Sequence, residues 1–169
     1  PTREFLDVVL AVKPAQCTLV PDDPNQVTSD HGWDLDKNAA FLREVCVELK
    51  AAGIRVSLFV DYDCPNIALA KELGADRVEL YTEPYAETYG TPQNDAILAQ
   101  FGQAAMAAQA AGLGVNAGHD LNLDNLAKFI ALPNILEVSI GHALIVECLE
   151  QGMDATMRGY MSILGENVT

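Results

Sequence analysis

Two histidines in this chain follow a glycine directly, each at the end of an apolar segment. Gly118-His119 comes after VNA and Gly141-His142 comes after EVSI. Imidazole changes protonation near neutral pH, so such histidines suit proton transfer. A glycine at the bend lets a ligand phosphate approach the backbone, and N–H groups that open a helix attract anions. One Gly-His pair alone is better explained by structure, but two equivalent pairs favour a site for a phosphorylated ligand.

Glu79 lies at the centre of the otherwise apolar segment RVELY. In a strand this position points its carboxylate either to the inside of a barrel or into the layer between sheet and helices. A charge in either place needs a partner or a shifted pKa. Glu79 is therefore a candidate functional acid, and the alternative is that Arg55 or Arg77 neutralises it for structural reasons.

The remaining titratable residues give weaker signals. His31 lies in the polar loop PDDPNQVTSDHGW, and we interpret it as a solvated surface histidine, together with Asp22, Asp23 and Asp30. Asp61 and Asp63 lie close in sequence, but two acids without a further ligand nearby do not indicate a metal site. The sequence thus predicts no metal.

These residues lie in a chain that repeats helix, glycine, strand and polar loop. The unit appears in AAGIRVSLFVD, ELGADRVELYT, AAGLGVNAGH and, more loosely, ALPNILEVSIGH. Such repetition predicts a parallel sheet whose strands are apolar on both faces. The predicted strands are 17–20, 55–60, 77–81, 114–116 and 135–140; the predicted helices are 2–13, 35–52, 65–73, 96–111, 123–132, 141–150 and 154–164, with a long loop over 82–93.

Two sheet closures are compatible with this order. An open doubly wound sheet usually has a glycine-rich phosphate loop after its first strand, and neither GxGxxG nor GxxxxGK[ST] is present. A TIM (β/α)8 barrel has polar residues after every strand at one mouth, as here. We therefore predict one partial barrel domain over residues 1–169 with about the last five strands of eight. The first residue, Pro1 rather than Met, also suggests an absent upstream part.

Composition restricts the partners. The 169 residues carry a formal charge of −14, which argues against a general nucleic-acid binder. No apolar run approaches the roughly 20 residues of a membrane-spanning helix, and the N-terminus does not resemble a signal peptide. The four cysteines are widely spaced, which predicts free thiols in a reducing cytoplasm: Cys17, Cys46, Cys64 and Cys148.

Several segments together resemble one enzyme family. VSLFVD, GADRVELYT, VNAGHDLNLDNL and EVSIGHAL, with LVP followed by VTSDHG, look like pyridoxine 5′-phosphate synthase of the deoxyxylulose-5-phosphate-dependent vitamin B6 route. The resemblance covers essentially the whole chain. It implies a TIM barrel that condenses 1-deoxy-D-xylulose 5-phosphate with 1-amino-acetone 3-phosphate into pyridoxine 5′-phosphate, phosphate and water. It also implies a homo-oligomer with no organic cofactor.

The resemblance assigns roles to particular residues. His119 matches the family's proton donor, and Glu79 matches a carboxylate that stabilises a transition state. The remaining matches are substrate contacts: Thr28 to the deoxyxylulose phosphate, and Asp120, Gly141 and His142 to the amino-ketone phosphate.

The chain also departs from the family pattern. Asp120 replaces a residue that is Gly in many members, and Asp22, Asp23 and Pro24 replace basic residues after LVP. The family's first three strands are absent, with a catalytic glutamate and a histidine that they carry. We therefore expect the chain alone to be inactive and poorly soluble. The alternatives are another phosphate-binding barrel, such as an indole or imidazole biosynthesis enzyme, or a non-catalytic phosphate-binding remnant.

Overall fold

The computed structural model describes residues 1–23 and 25–165. The strands are β1 (Gln16–Leu19), β2 (Arg55–Val60), β3 (Arg77–Tyr81), β4 (Gly114–Gly118) and β5 (Ile135–Ser139). The helices are α1 (Arg3–Val12), α2 (Ala39–Ala51), α3 (Leu69–Glu72), α4 (Glu83–Thr88), α5 (Asn94–Ala110), α6 (Leu126–Phe129), α7 (His142–Gln151) and α8 (Met153–Ile163).

The five strands form one parallel sheet in the order β1-β2-β3-β4-β5, so spatial order follows chain order. Because parallel strands need crossover connections, the helices between them pack on the sheet: α2 contacts β2, α3 contacts β3 and α5 contacts β4. Over the part of the chain that the structure describes, β1 and β5 each pair on one side only. The predicted parallel β/α order and the five strands are confirmed.

The two faces of the sheet differ in chemistry. The outer face carries apolar side chains that belong to the core beneath the helices. Examples are Leu58, Val78 and Val115, which are paired in register on the adjacent strands β2, β3 and β4. The inner face carries polar residues, among them the register partners Glu79 and Asn116. The prediction of strands apolar on both faces is therefore wrong for the inner face, because buried polar side chains such as Glu79 and Asn116 occupy it.

Helix α4 lies in the segment predicted as a long loop, 82–93. Tyr85 on this helix is fully buried, and its ring contacts Phe129 at a centroid distance of 5.0 Å and Phe101 at 6.5 Å. Its hydroxyl also donates to the Asn125 carbonyl, 2.7 Å away. Tertiary packing around one tyrosine thus stabilises a six-residue helix that has little local periodicity.

Helix α2 begins later than predicted, at Ala39 instead of residue 35. The Asp34 carboxylate accepts a hydrogen bond from the Lys37 N–H at 3.0 Å, and its carbonyl accepts from Asn38. Asp34 therefore holds a separate turn before the helix. Helices α3 and α6 are also shorter than predicted, with four residues each.

The polar loop after β1 is fastened to the end of β2. Gly32 lies so close to the strand that a Cβ there would be 2.4 Å from the Val60 Cα, and its N–H donates to the Asp61 carboxylate at 3.0 Å. The Trp33 N–H donates to the Phe59 carbonyl at 2.9 Å. These contacts hold the loop over the carboxyl ends of the strands. Asp22, Asp23 and Pro24 were named above as departures from the family pattern. Residue 24 lies outside the residues that the structure describes.

Candidate active site

A cavity of about 370 Å³ opens at the carboxyl ends of the strands. Five of the six predicted site residues line it: Glu79, His119, Asp120, Gly141 and His142. Glu79 lies within β3, and the other four residues follow β4 and β5, whose carboxyl ends parallel pairing brings to one edge of the sheet. The sixth, Thr28, reaches the same place from the loop after β1, because its hydroxyl lies 3.0 Å from the His119 ring.

The turn after β4 has an unusual backbone. His119 has a φ of 96° and Asp120 a φ of 57°, both in the left-handed region that side chains other than glycine rarely adopt. The surrounding structure holds the turn at each carbonyl. Thr82 donates its N–H to the Gly118 carbonyl at 3.0 Å and its hydroxyl to the His119 carbonyl, and the Asn125 amide donates to the Asp120 carbonyl at 3.1 Å. Strain held this way is typical of functional sites.

Both nitrogens of the His119 ring have a partner. Nε2 lies 3.0 Å from the Thr28 hydroxyl, and Nδ1 lies 3.0 Å from Asp120 Oδ2. The Tyr81 ring contacts the imidazole edge to face at a centroid distance of 5.0 Å. The ring is thus held in one orientation at the cavity wall.

Glu79 lies on the inner face of β3 with 7 % of its surface exposed. The Thr18 hydroxyl donates to its Oε2 at 3.2 Å, and Ser139 lies on its other side. Gly118 makes room for the carboxyl group, since a Cβ there would be 2.4 Å from Oε1. Burial raises the pKa of Glu79 above its ordinary value, and the hydrogen bonds from Thr18 and Ser139 oppose this rise only in part.

The alternative in which Arg77 or Arg55 neutralises Glu79 is wrong. The Arg77 guanidinium donates to Asn116 at 2.8 Å and to Glu137 at 3.0 Å, on the layer of the inner face below Glu79. Arg55 is exposed at the start of β2. Glu79 therefore has hydroxyl partners and no arginine partner among the described residues.

Helix α7 begins at the cavity, with Gly141 as its N-cap. No side chain of the described residues caps this end, and a Cβ at Gly141 would have nothing within 4 Å. The first N–H groups of the helix therefore lie beside open space. No lysine or arginine of the described chain lines the cavity. Among the described residues, the groups that can bind an anion here are this helix end, the two histidines and the hydroxyl groups of Thr18, Ser29 and Ser139.

Sequence reasoning assigned no role to three hydroxyl residues beside the candidate site. Thr18 and Ser139 flank Glu79, and Thr82 holds the turn at His119. Thr82 directly follows a predicted strand, which is a signal that was available. Thr18 and Ser139 lie within strands, and only the register between strands shows that they face Glu79.

The polar residues interpreted as surface residues lie outside this cavity. His31 is exposed and pairs with Asp30, while Asp22 accepts a hydrogen bond from the Ser29 hydroxyl at 2.8 Å. The solvated interpretation of His31 is confirmed.

Over residues 1–23 and 25–165, no group of three or more His, Cys, Asp and Glu side chains is arranged to hold a metal ion. No helix in this part of the chain is long and apolar enough to span a membrane.

A parallel β/α sheet whose spatial order follows chain order, with its polar site at the carboxyl ends of the strands, has the architecture of the (β/α)-barrel class. A solved structure of the tryptophan synthase A-subunit from Pyrococcus furiosus has the same fold, with a TM-score of 0.60 at 16 % identity over 96 % of this chain and 60 % of that one.

Residues 1–166 match the family model described as pyridoxal phosphate biosynthesis protein PdxJ. The chain belongs to this family. It is 55 % identical over 161 residues to the pyridoxine 5′-phosphate synthase of Xanthomonas oryzae pv. oryzae, covering 95 % of this chain and 63 % of that protein. It is 52 % identical over 166 residues to the synthase of Bacteroides thetaiotaomicron, covering 97 % of this chain and 69 % of that protein. The chain thus spans about two thirds of the length of these relatives.

Proposed function

We propose that this chain provides part of the active site of a pyridoxine 5′-phosphate synthase. The reaction condenses 1-deoxy-D-xylulose 5-phosphate with 1-amino-acetone 3-phosphate and releases phosphate and water. The observation that carries the proposal is the grouping of a buried carboxyl group, a fixed histidine and an uncapped helix end around one cavity. The names of the relatives support it further.

His119 is the proton donor in this proposal. Ring closure eliminates water, and a hydroxyl group leaves readily only when a proton is delivered to it. The imidazole lies at the cavity wall with Nε2 next to the loop that carries Thr28. Its two fixed hydrogen-bond partners keep it in position for that transfer.

Glu79 stabilises positive charge. Condensation of an amine with a ketone passes through a protonated imine, and a carboxylate in a site shielded from water interacts strongly with such a charge. Glu79 lines the cavity and has no arginine partner in the described chain, so its carboxylate is available to the reacting cation.

The phosphates bind at the edges of the cavity. The N–H groups of Gly141 and His142 hold the phosphate of the amino-ketone, with the N-terminal end of α7 contributing its dipole. Thr28 contacts the deoxyxylulose phosphate. Position 120 contributes its backbone to the amino-ketone subsite, because its carboxylate would repel a phosphate. The cavity of about 370 Å³ lies within the size range typical of small-molecule sites.

The test uses the intact protein, by which we mean this chain together with the first three β/α units of a relative, and measures product formation by the wild type and by its His119→Asn variant. We expect turnover to fall by at least about 100-fold with the substrate KM values nearly unchanged, as for loss of a general acid. The control is His31→Asn, which removes an exposed histidine outside the cavity and leaves turnover unchanged. Normal turnover in His119→Asn would assign this residue to structure, and an inactive wild-type protein would refute the proposed function.

We also propose that the enzyme is a cytoplasmic homo-oligomer that works without an organic cofactor or metal. These statements depend on the resemblance to the synthase family. Size measurement in solution and metal analysis of the purified active protein test them.

A further inference from the structure

The carboxylate of Asp120 restricts the protonation state of His119. An ionised carboxylate can only accept hydrogen bonds, and its Oδ2 lies 3.0 Å from the ring Nδ1. Nδ1 must therefore carry a proton whenever this bond is present. In the neutral ring Nε2 is then the unprotonated nitrogen, and it faces the Thr28 hydroxyl at 3.0 Å.

The backbone keeps the carboxylate in this position. Asp120 adopts a φ of 57°, which glycine adopts at less cost and aspartate tolerates only moderately. The Asn125 side chain, 1 % exposed, holds the Asp120 carbonyl at 3.1 Å. The conformation therefore does not depend on the carboxylate, and the carboxylate itself is directed at the neighbouring ring.

We propose that Asp120 is a positioning residue that selects the Nδ1–H tautomer of His119 and so makes Nε2 the atom that transfers the proton. When Nε2 also carries a proton, the carboxylate compensates the charge of the imidazolium. After Nε2 gives its proton to a leaving hydroxyl group, the ring is neutral and the proton on Nδ1 remains. The role of Nε2 in the reaction rests on the proposed function. The choice of tautomer does not depend on it.

The first test is ¹⁵N NMR of the histidine rings in the intact protein, with Asp120→Gly as the variant. Glycine suits the left-handed backbone, so this change removes the carboxylate without disturbing the turn. We expect the wild-type neutral ring to be mainly Nδ1–H, and the tautomer ratio to move toward Nε2–H by about tenfold in the variant, equivalent to about 1.4 kcal/mol. The control is Asp124→Asn, an exposed acid of the same loop, which keeps the wild-type ratio.

The second test separates positioning from substrate contact. Loss of positioning lowers kcat by about tenfold with nearly unchanged KM, whereas loss of a substrate contact raises KM. An unchanged tautomer ratio in Asp120→Gly, or an effect confined to KM, would overturn the proposal. If the wild-type protein makes no pyridoxine 5′-phosphate, the proposed function fails, while the NMR result still decides the role of Asp120.

Discussion

Replacing Gly118 with alanine would place a methyl group where the Glu79 carboxyl group lies. The added Cβ would be 2.4 Å from Oε1 and 3.0 Å from the Ser139 Cβ, whereas ordinary contacts begin near 3.4 Å. The carboxyl group must therefore retreat by about 1 Å, and it would lose the hydrogen bond of 3.2 Å from Thr18. Both changes act on a group that is almost fully buried.

The cost follows from these two changes. Forcing an extra carbon into a packed site costs about 1–3 kcal/mol, and the lost hydrogen bond adds about 1 kcal/mol. We expect the free energy of unfolding of the intact protein to fall by about 3 kcal/mol. For a protein of this size that lowers Tm by roughly 6–12 °C. Under the proposed function turnover falls as well, because the carboxylate moves from its position.

The assay is urea unfolding of Gly118→Ala and wild type, with Gly102→Ala as the matched control. Gly102 lies within α5 and does not line the cavity, and its added Cβ would meet the end of the Leu132 side chain at 3.3 Å, slightly closer than an ordinary contact. Alanine is the better helix former, so the control should equal wild type or exceed it by up to about 1 kcal/mol. Wild-type stability of Gly118→Ala, with Glu79 unmoved in a crystal structure, would refute the reasoning.

Three further outcomes follow from the same site. Thr82→Val should lower the free energy of unfolding by about 1–2 kcal/mol, because the His119 carbonyl loses its hydroxyl donor, while Thr82→Ser should stay close to wild type in urea unfolding. The raised pKa of Glu79 means that its stabilising contribution is complete below the ordinary value of 4.5 and is lost as pH rises through the folded-state pKa. Wild type should therefore lose stability relative to Glu79→Gln as pH rises above 4.5, and parallel pH curves for the two would contradict this. The chain of 169 residues by itself should make no product, and activity should appear when the first three β/α units of a relative are supplied; activity of the chain alone as a monomer would contradict the prediction.

Most of the fold could be predicted because its signal is local. Glycine ends several helices where a left-handed residue is needed, as at Gly53, Gly74 and Gly112, and an apolar strand follows each one. Helix α4 could not be predicted in this way. The burial of Tyr85 between Phe101 and Phe129 stabilises it, and these rings lie far from it in sequence.

Most of the candidate site residues that could be predicted lie just after strands. His119 and Gly141 each follow a strand directly, so a parallel sheet must bring them to the same edge. Thr28 was predicted as a site residue only from the family resemblance, because no periodicity of the sequence determines where a loop will lie. Thr18 and Ser139 were missed because they face Glu79 only once the register of β1, β3 and β5 is known.

The agreement between chain order and spatial order in the sheet affects how the protein is made. Each strand pairs with the strand that the ribosome produced just before it, so a growing chain can add one β/α unit at a time to an existing edge. Once β4 has emerged, Glu79 and His119 already lie on neighbouring strands. The uncapped end of α7 comes after β4 along the chain, so the Glu79 carboxyl group and the His119 ring are brought together during synthesis before this helix end is added.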